Sequence, residues 1–197
     1  MKYNVKDYIK VFDNSFFTAQ QCKLIINSLD KSLSKTHTFY NVFDNKKKLV
    51  GNDPNQCFLK KDKLVPVGDL FKDQWIKLIK EYIAKFLQEE KMPWYKGWNG
   101  FSFPKFIEYT KGASMKKHCD HIHGLFEVEG RPRGIPTLSI ITALNDNYLG
   151  GDLIMCDKYK YKLKQGESIM FPSNFLYPHE IKKITKGKRY SVISWVY

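Results

Sequence analysis

The chain lacks most of the features that would settle its class at a glance. Its four cysteines, Cys22, Cys57, Cys119 and Cys156, are dispersed and form no C-x-x-C pair. That excludes a zinc framework and a small disulfide-stapled scaffold, and reduced intracellular thiols are the expectation. No segment approaches the roughly 18 consecutive apolar residues of a spanning helix, so no membrane partner is expected. Residues Met1 to Phe17 hold neither an apolar stretch nor a small-residue cleavage site. No signal peptide is therefore expected, and the expected location is cytoplasmic. There is no G-x-x-x-x-G-K-[ST], no H-E-x-x-H and no G-x-S-x-G, which removes P-loop phosphate binding, the zincin helix and the hydrolase nucleophile elbow. Internal repeats and low-complexity tails are absent as well.

Acidic residues are scarce, 20 against 33 Lys and Arg, for a formal net charge of +13. A surplus of this size suits an acidic partner, either nucleic acid or an acidic peptide. The plainer reading is a solvated lysine surface in a chain rich in Asn, Lys and Ile. The lysines favour it because they are spread out: Lys46 to Lys48, Lys60-Lys61, Lys116-Lys117, then Lys158, Lys160, Lys162 and Lys164.

What is present is enough for a globular core. With 197 residues, 43% apolar and 15% aromatic, residues 1–197 are expected to form one domain. Thr18-Ala19-Gln20-Gln21 fits a capping box, with Phe17 and Cys22 as its hydrophobic staple. Leu24, Ile25, Ile26 and Leu29 follow as an apolar face. A second helix is predicted from Asp69 to Gln88, because Phe71, Trp75, Leu78, Ile79, Tyr82, Ile83 and Phe86 recur at spacings of three and four. Such a stripe is a core face, packed on the back of a sheet. Asn41 to Pro66 is polar and broken by Gly51-Asn52-Asp53-Pro54, which suits a hairpin or a mobile loop.

Beyond Gly100 the pattern becomes short strands. They are predicted at Phe103–Tyr109, Met115–Asp120, Thr137–Ala143, Asp152–Cys156, Tyr159–Leu163, Ser168–Phe171, His179–Ile184 and Tyr190–Tyr197. Turn signals such as Lys111-Gly112, Gly150-Gly151, Gln165-Gly166 and Lys186-Gly187 separate them. Many short strands at this spacing indicate a barrel or sandwich, so the class is mainly β with flanking α-helices. The stretch His121 to Pro136 is long and irregular. It suits a lid over a site or a plain surface connection.

One constellation stands out. His118-Cys119-Asp120 is a His-x-Asp pair, and on a strand residues i and i+2 share a face. His179 follows on a distant strand, and Arg189 comes ten residues later. Two histidines and a carboxylate form the facial triad that holds non-haem Fe(II) with open coordination positions. By itself the pair is ambiguous, since His121 and His123 offer rival ligands and a single histidine is more often packed or exposed.

The surrounding residues carry a resemblance. Tyr109-Thr110-Lys111-Gly112, His118-Cys119-Asp120, Leu138 to Asn145, Gly150-Gly151-Asp152-Leu153, Gly166-Glu167 and Phe171-Pro172-Ser173 precede His179. Lys186-Gly187-Lys188-Arg189-Tyr190-Ser191 and Trp195 follow it. In this order they resemble the 2-oxoglutarate- and Fe(II)-dependent dioxygenases, specifically the prolyl 4-hydroxylase-like branch. The likeness covers about ninety residues and only loosely touches the first half.

The resemblance implies a double-stranded β-helix (jelly-roll, cupin-like) core at 101–197, with 1–100 as a helical N-terminal support region packed on one sheet. His118, Asp120 and His179 would bind Fe(II). The distal carboxylate of 2-oxoglutarate would meet Arg189, with Ser191 and Tyr109 beside it. A guanidinium suits that task because it grips a carboxylate bidentately. The implied reaction hydroxylates an unactivated C–H bond of a prolyl residue in a peptide or protein. O2 would be co-substrate, ascorbate the reductant, and succinate and CO2 the products. Alternatives are an oxygenase of nucleic acid or a small molecule, and a non-catalytic β-barrel binding module. The chain departs from relatives at Asp152, where many carry glutamate, and at Ala143 or a neighbour, where some place an aromatic.

Overall fold

A computed structural model describes residues 4–37, 39–41, 46–48, 53–88, 97–120 and 136–197. The N-terminal half carries β1 (Lys10–Phe12), α1 (Ala19–Asn27), β2 (Leu29–Thr36), the antiparallel pair β3 (Phe39–Asn41) and β4 (Lys46–Lys48), and β5 (Asn55–Leu59). The long helix α2 (Leu64–Tyr82) follows and runs on as a π-helical stretch, Ile83–Gln88. The C-terminal half is β6 (Lys105–Tyr109), β7 (Met115–His118), β8 (Leu138–Ala143), β9 (Leu149–Gly150), β10 (Leu153–Met155), β11 (Tyr159–Tyr161), β12 (Ser168–Pro172), β13 (His179–Ile181), β14 (Ile184–Lys186) and β15 (Arg189–Val196).

Two sheets dominate. The major sheet has seven strands in the order β1-β12-β8-β15-β6-β5-β2, and the minor sheet has four, β11-β10-β13-β7. Together they form a double-stranded β-helix. Strand β8 lies inside the major sheet and is buried at every position, because it is covered on both faces. Ile141 and Ala143 face the minor sheet, within a core shared with Ile107, Ile169, Phe171, Leu153, Met155 and Ile181. Leu138 and Ile140 face the helices instead, with Phe106, Met170, Val192 and Val196. This double covering explains why Leu138-Ser139-Ile140-Ile141-Thr142-Ala143 reads as a nearly continuous apolar run rather than an alternating one.

The helical layer forms as its sequence signals suggest. Thr18 caps α1 and closes a capping box with Gln21, the Gln21 side chain accepting from the Thr18 N–H at 2.9 Å. Phe17 and Cys22 are both wholly buried. On α2 the residues Val67, Phe71, Trp75, Leu78, Ile79 and Tyr82 line the buried face. Burying each such Phe or Leu side chain contributes roughly 1.5–3 kcal/mol, and this stripe fixes the helix against the major sheet. Phe71 meets Phe106 of β6 at 5.8 Å between ring centroids, and the Tyr82 hydroxyl donates to the Tyr8 carbonyl at 2.6 Å.

Three expectations change. The long helix begins at Leu64, not Asp69, and takes Pro66 into its first turn, where a missing N–H costs nothing because that donor has no intrahelical acceptor. The first hundred residues are not a purely helical support: β1, β2 and β5 extend the major sheet at both edges. Lastly, the predicted strand His179–Ile184 divides into β13 and β14, which belong to different sheets. Among the described residues no helix is long and apolar enough to cross a membrane. The rival ligands His121 and His123 and the rest of 121–135 lie outside the described residues.

Candidate active site

His118 ends β7 and His179 begins β13, and the two are paired directly across the strands. Their ring centroids are 4.4 Å apart. The register shifts by one residue between this pair and the next, Ile181 with Met115. That bulge has a consequence for direction. Met115 and His118 are three residues apart and would face opposite ways on a regular strand; the extra residue turns both inward. Asp120 then lies beyond the strand end, so the predicted strand Met115–Asp120 stops two residues short.

Both rings are oriented by the backbone. Nδ1 of His118 is 2.8 Å from the Lys116 carbonyl, and Nδ1 of His179 is 3.1 Å from the Tyr177 carbonyl. A carbonyl only accepts, so each Nδ1 carries a proton and donates it, which leaves Nε2 as the ring atom turned to the site. Those two nitrogens face Asp120 Oδ1 at 3.4 Å and 3.5 Å. The other carboxylate oxygen, Oδ2, accepts from the Ser139 hydroxyl at 2.6 Å. Ser139 lies 3.0 Å from Ser173 Oγ. Burial alone raises the Asp120 pKa, but the nearby His179 and His118 and the Ser139 bond hold it below the usual carboxylate range. Burial pulls His179 downward despite Asp120. A carboxylate oxygen and two imidazole nitrogens thus converge, with ligand atoms all within 4.8 Å of one another. A cation satisfies such a set, and the donor chemistry of two histidines and one carboxylate suits Fe(II).

Across the cavity, β15 turns Arg189, Ser191, Ile193 and Trp195 to the same side, and β6 does likewise with Lys105 and Tyr109. Arg189 is 3% exposed. Its Nη1 donates to Ser191 Oγ at 3.1 Å, and its guanidinium lies 4.8 Å above the ring of Tyr109, its cross-strand partner. Among the described residues no carboxylate pairs with it. The Tyr109 hydroxyl rests on Met115 Sδ at 3.6 Å, a weak acceptor. Burial, partly offset by Arg189, pushes its pKa up to about 12, so it stays a donor. Ala143 sits beside Ser191 in register.

The structure therefore brings all six predicted side chains, His118, Asp120, His179, Arg189, Ser191 and Tyr109, to one cavity. Two more line it that the sequence reading passes over. Lys105 stands four residues before Tyr109 on the same strand, so alternation could have found it. His37, just beyond β2, gave no signal in its own stretch. Burial and the charges of Lys105 and His118 push its pKa down to about 4.

Residues 104–197 match the sequence pattern of the 2OG-Fe(II) oxygenase superfamily. Over those residues, just under half of its length, the chain is similar to that superfamily. A PKHD-type hydroxylase of Prochlorococcus marinus (strain MIT 9312) is 34% identical over 104 residues, which is 49% of this chain and 44% of that protein. The chain thus spans less than half the length of that curated relative. In fold, it resembles the viral collagen prolyl hydroxylase of Paramecium Bursaria Chlorella virus-1 in its 2OG complex, with a TM-score of 0.62 at 16% identity over 96% of this chain and 94% of that one. It also resembles a 2OG-Fe(II) oxygenase family oxidoreductase from Burkholderia pseudomallei, with a TM-score of 0.63 at 10% identity over 100% and 92%. At these identities the likeness is one of fold.

Proposed function

We propose that this chain is a 2-oxoglutarate- and Fe(II)-dependent dioxygenase that hydroxylates a prolyl residue of a peptide or protein. One observation carries the reading. Three converging acceptors, His118, Asp120 and His179, share a cavity with Arg189, a buried cation that no described carboxylate neutralises. The first set fits a divalent cation, and the second fits a small carboxylate.

In this reading His118 Nε2, His179 Nε2 and Asp120 Oδ1 are the iron ligands. The Ser139 hydroxyl keeps Asp120 monodentate by occupying Oδ2. The Lys116 and Tyr177 carbonyls hold the rings in the tautomer a metal needs. Arg189 and Ser191 grip the distal carboxylate of 2-oxoglutarate, with Tyr109 closing the pocket wall. When bound, Fe(II) and 2-oxoglutarate supply the oxidation, with O2 consumed and succinate and CO2 released. The protein's contribution is to position these groups and keep water from them.

The prolyl substrate rests on the resemblance to prolyl 4-hydroxylases. Nucleic acid is the weaker alternative: on the outer face of the minor sheet Lys117, Lys160 and Lys182 pair with Asp157, Asp152 and Glu180 at 2.6–2.9 Å, which leaves no uniform basic strip there. A purely binding role leaves the unpaired Arg189 without a purpose.

The test is turnover. Purified protein with Fe(II), ascorbate and 2-oxoglutarate should release succinate, and a prolyl peptide library should gain one oxygen by mass. His179→Ala should abolish both. Equal succinate release by that variant would remove the triad from the reading.

A further inference from the structure

The cavity has a second cation that the proposed chemistry does not use. Lys105 opens β6 and lines the same cavity as the triad. Cross-strand register sets Tyr109 opposite Arg189 and Lys105 opposite Ile193. Lys105 thus stands four residues from the Arg189 end, about 13 Å along the strands at roughly 3.3 Å per residue. Lys105 is thus set apart from the Arg189 end while still lining the cavity that holds the triad.

Its surroundings leave its charge unmatched. Among the described residues no carboxylate pairs with its ammonium group and no hydrogen bond holds it. Among the described residues it lies over the face of Trp195, 5.8 Å from the ring centroid. The Trp195 indole N–H is itself buried with no acceptor among the described residues. Burial depresses the Lys105 pKa, while Asp120 pulls the other way. An ammonium kept in a half-buried cleft without a partner is costly unless something anionic arrives. His37, the remaining wall residue here, is held neutral and cannot supply a negative charge.

We infer that Lys105 is the substrate-selecting residue of this site, receiving the carboxylate of an acidic side chain next to the residue to be hydroxylated. The inference rests on the oxygenase reading and sharpens it: the substrate is an acidic peptide segment, and the acid sits within reach of the reacting carbon. Arg189 and Lys105 then divide two anions between them, co-substrate at the closed end and substrate at the open end. Ile193, opposite Lys105 in register, lines the same cavity.

The test is equilibrium binding to arrayed prolyl peptides in matched sets differing only in Glu, Gln or Lys beside the proline. The full chain is used, both metal-free and loaded with Fe(II) and 2-oxoglutarate under argon, so that nothing turns over. The Glu members should bind about tenfold more tightly than their Gln counterparts, as a charge-assisted bond in a partly desolvated site does. Lys105→Met should equalise the two. Lys105→Glu should move the preference to the Lys members, an outcome that a merely structural role for Lys105 does not produce. Equal binding of Glu and Gln members by the unaltered protein, or a Glu preference that survives in Lys105→Met, would overturn the inference. So would displacement by free glutarate at the concentration at which the peptide itself competes, since that makes the occupant a small acid. Succinate release is read separately, so a failed oxygenase reading and a failed Lys105 assignment give different results.

Discussion

His118 and His179 face each other across two antiparallel strands, and a bulge in β7 is what lets them do so. Asp120 closes the third side with one oxygen and gives the other to Ser139, a wholly buried hydroxyl on the facing sheet. Its bond falls on the carboxylate, which it aims. Ser139→Ala should therefore weaken metal binding without abolishing it, by about 10–100-fold, the usual cost of losing a partner behind a ligand. Titration with Co(II), followed by its absorption, reads the affinity directly. An unchanged affinity would show that Asp120 is oriented by its backbone alone.

Arg189 makes the opposite kind of prediction, one about a group that nothing neutralises. Removing one member of a buried ion pair usually destabilises a protein, because the other charge is stranded. Here no described carboxylate would be stranded. Arg189→Met should leave the metal-free melting temperature unchanged or raised, yet erase the rise that 2-oxoglutarate produces in the unaltered protein. Arg189→Lys should recover only part of it, since an ammonium cannot reproduce the two-pronged grip. A strongly destabilised Arg189→Met would mean that the guanidinium has a structural partner.

Gly150 and Gly112 both have positive φ, +76° and +90°, but their surroundings differ. A Cβ on Gly150 would strike the Lys183 carbonyl oxygen, part of a backbone that cannot retreat, whereas among the described residues nothing lies within 4 Å of a Cβ on Gly112. Gly112→Ala should cost only the left-handed strain, about 1–2 kcal/mol. Gly150→Ala should cost more, since it also forces apart β9 and β14. Urea denaturation of both variants checks the order, and equal losses would make the contact irrelevant.

The legible part of this molecule is the part written locally. The capping box at Thr18, the α2 stripe and the turns before β10 and β15 depend on near neighbours, so the residues announce them. Arg189 and Ser191 share a face because an unbroken strand alternates, which a spacing of two expresses. The bulge that turns His118 inward could not be read, since it exists only through pairing with β13. Nor could the merger of β1, β2 and β5 into the major sheet, because sheet edges are chosen by tertiary contacts. His37 is the sharpest case. It comes to the cavity from 81 positions before His118, and no pattern in its own stretch marks it.

Glu108 supplies a test in pH. It sits on the outer face of β6, its side chain 13% exposed, 2.7 Å from Lys188 Nζ and accepting from the Tyr190 hydroxyl at 2.7 Å. Burial raises its pKa, but the bonds from Lys188 and Tyr190 outweigh that and set it below the ordinary value. A carboxylate with a depressed folded pKa stabilises the fold above its unfolded value, about 4.3, and loses that contribution as the pH falls through the folded value. Glu108→Gln should thus be less stable than the unaltered protein at neutral pH. The difference should be about 1 kcal/mol, modest because Lys188 is largely in water and the amide oxygen can still accept. As the pH falls from about 4.3 through the lower folded value the two should converge, since below that value the unaltered protein carries a neutral acid there too. Urea midpoints measured across that range decide the matter, and a gap that persists undiminished in acid would assign the cost of the substitution to packing rather than charge.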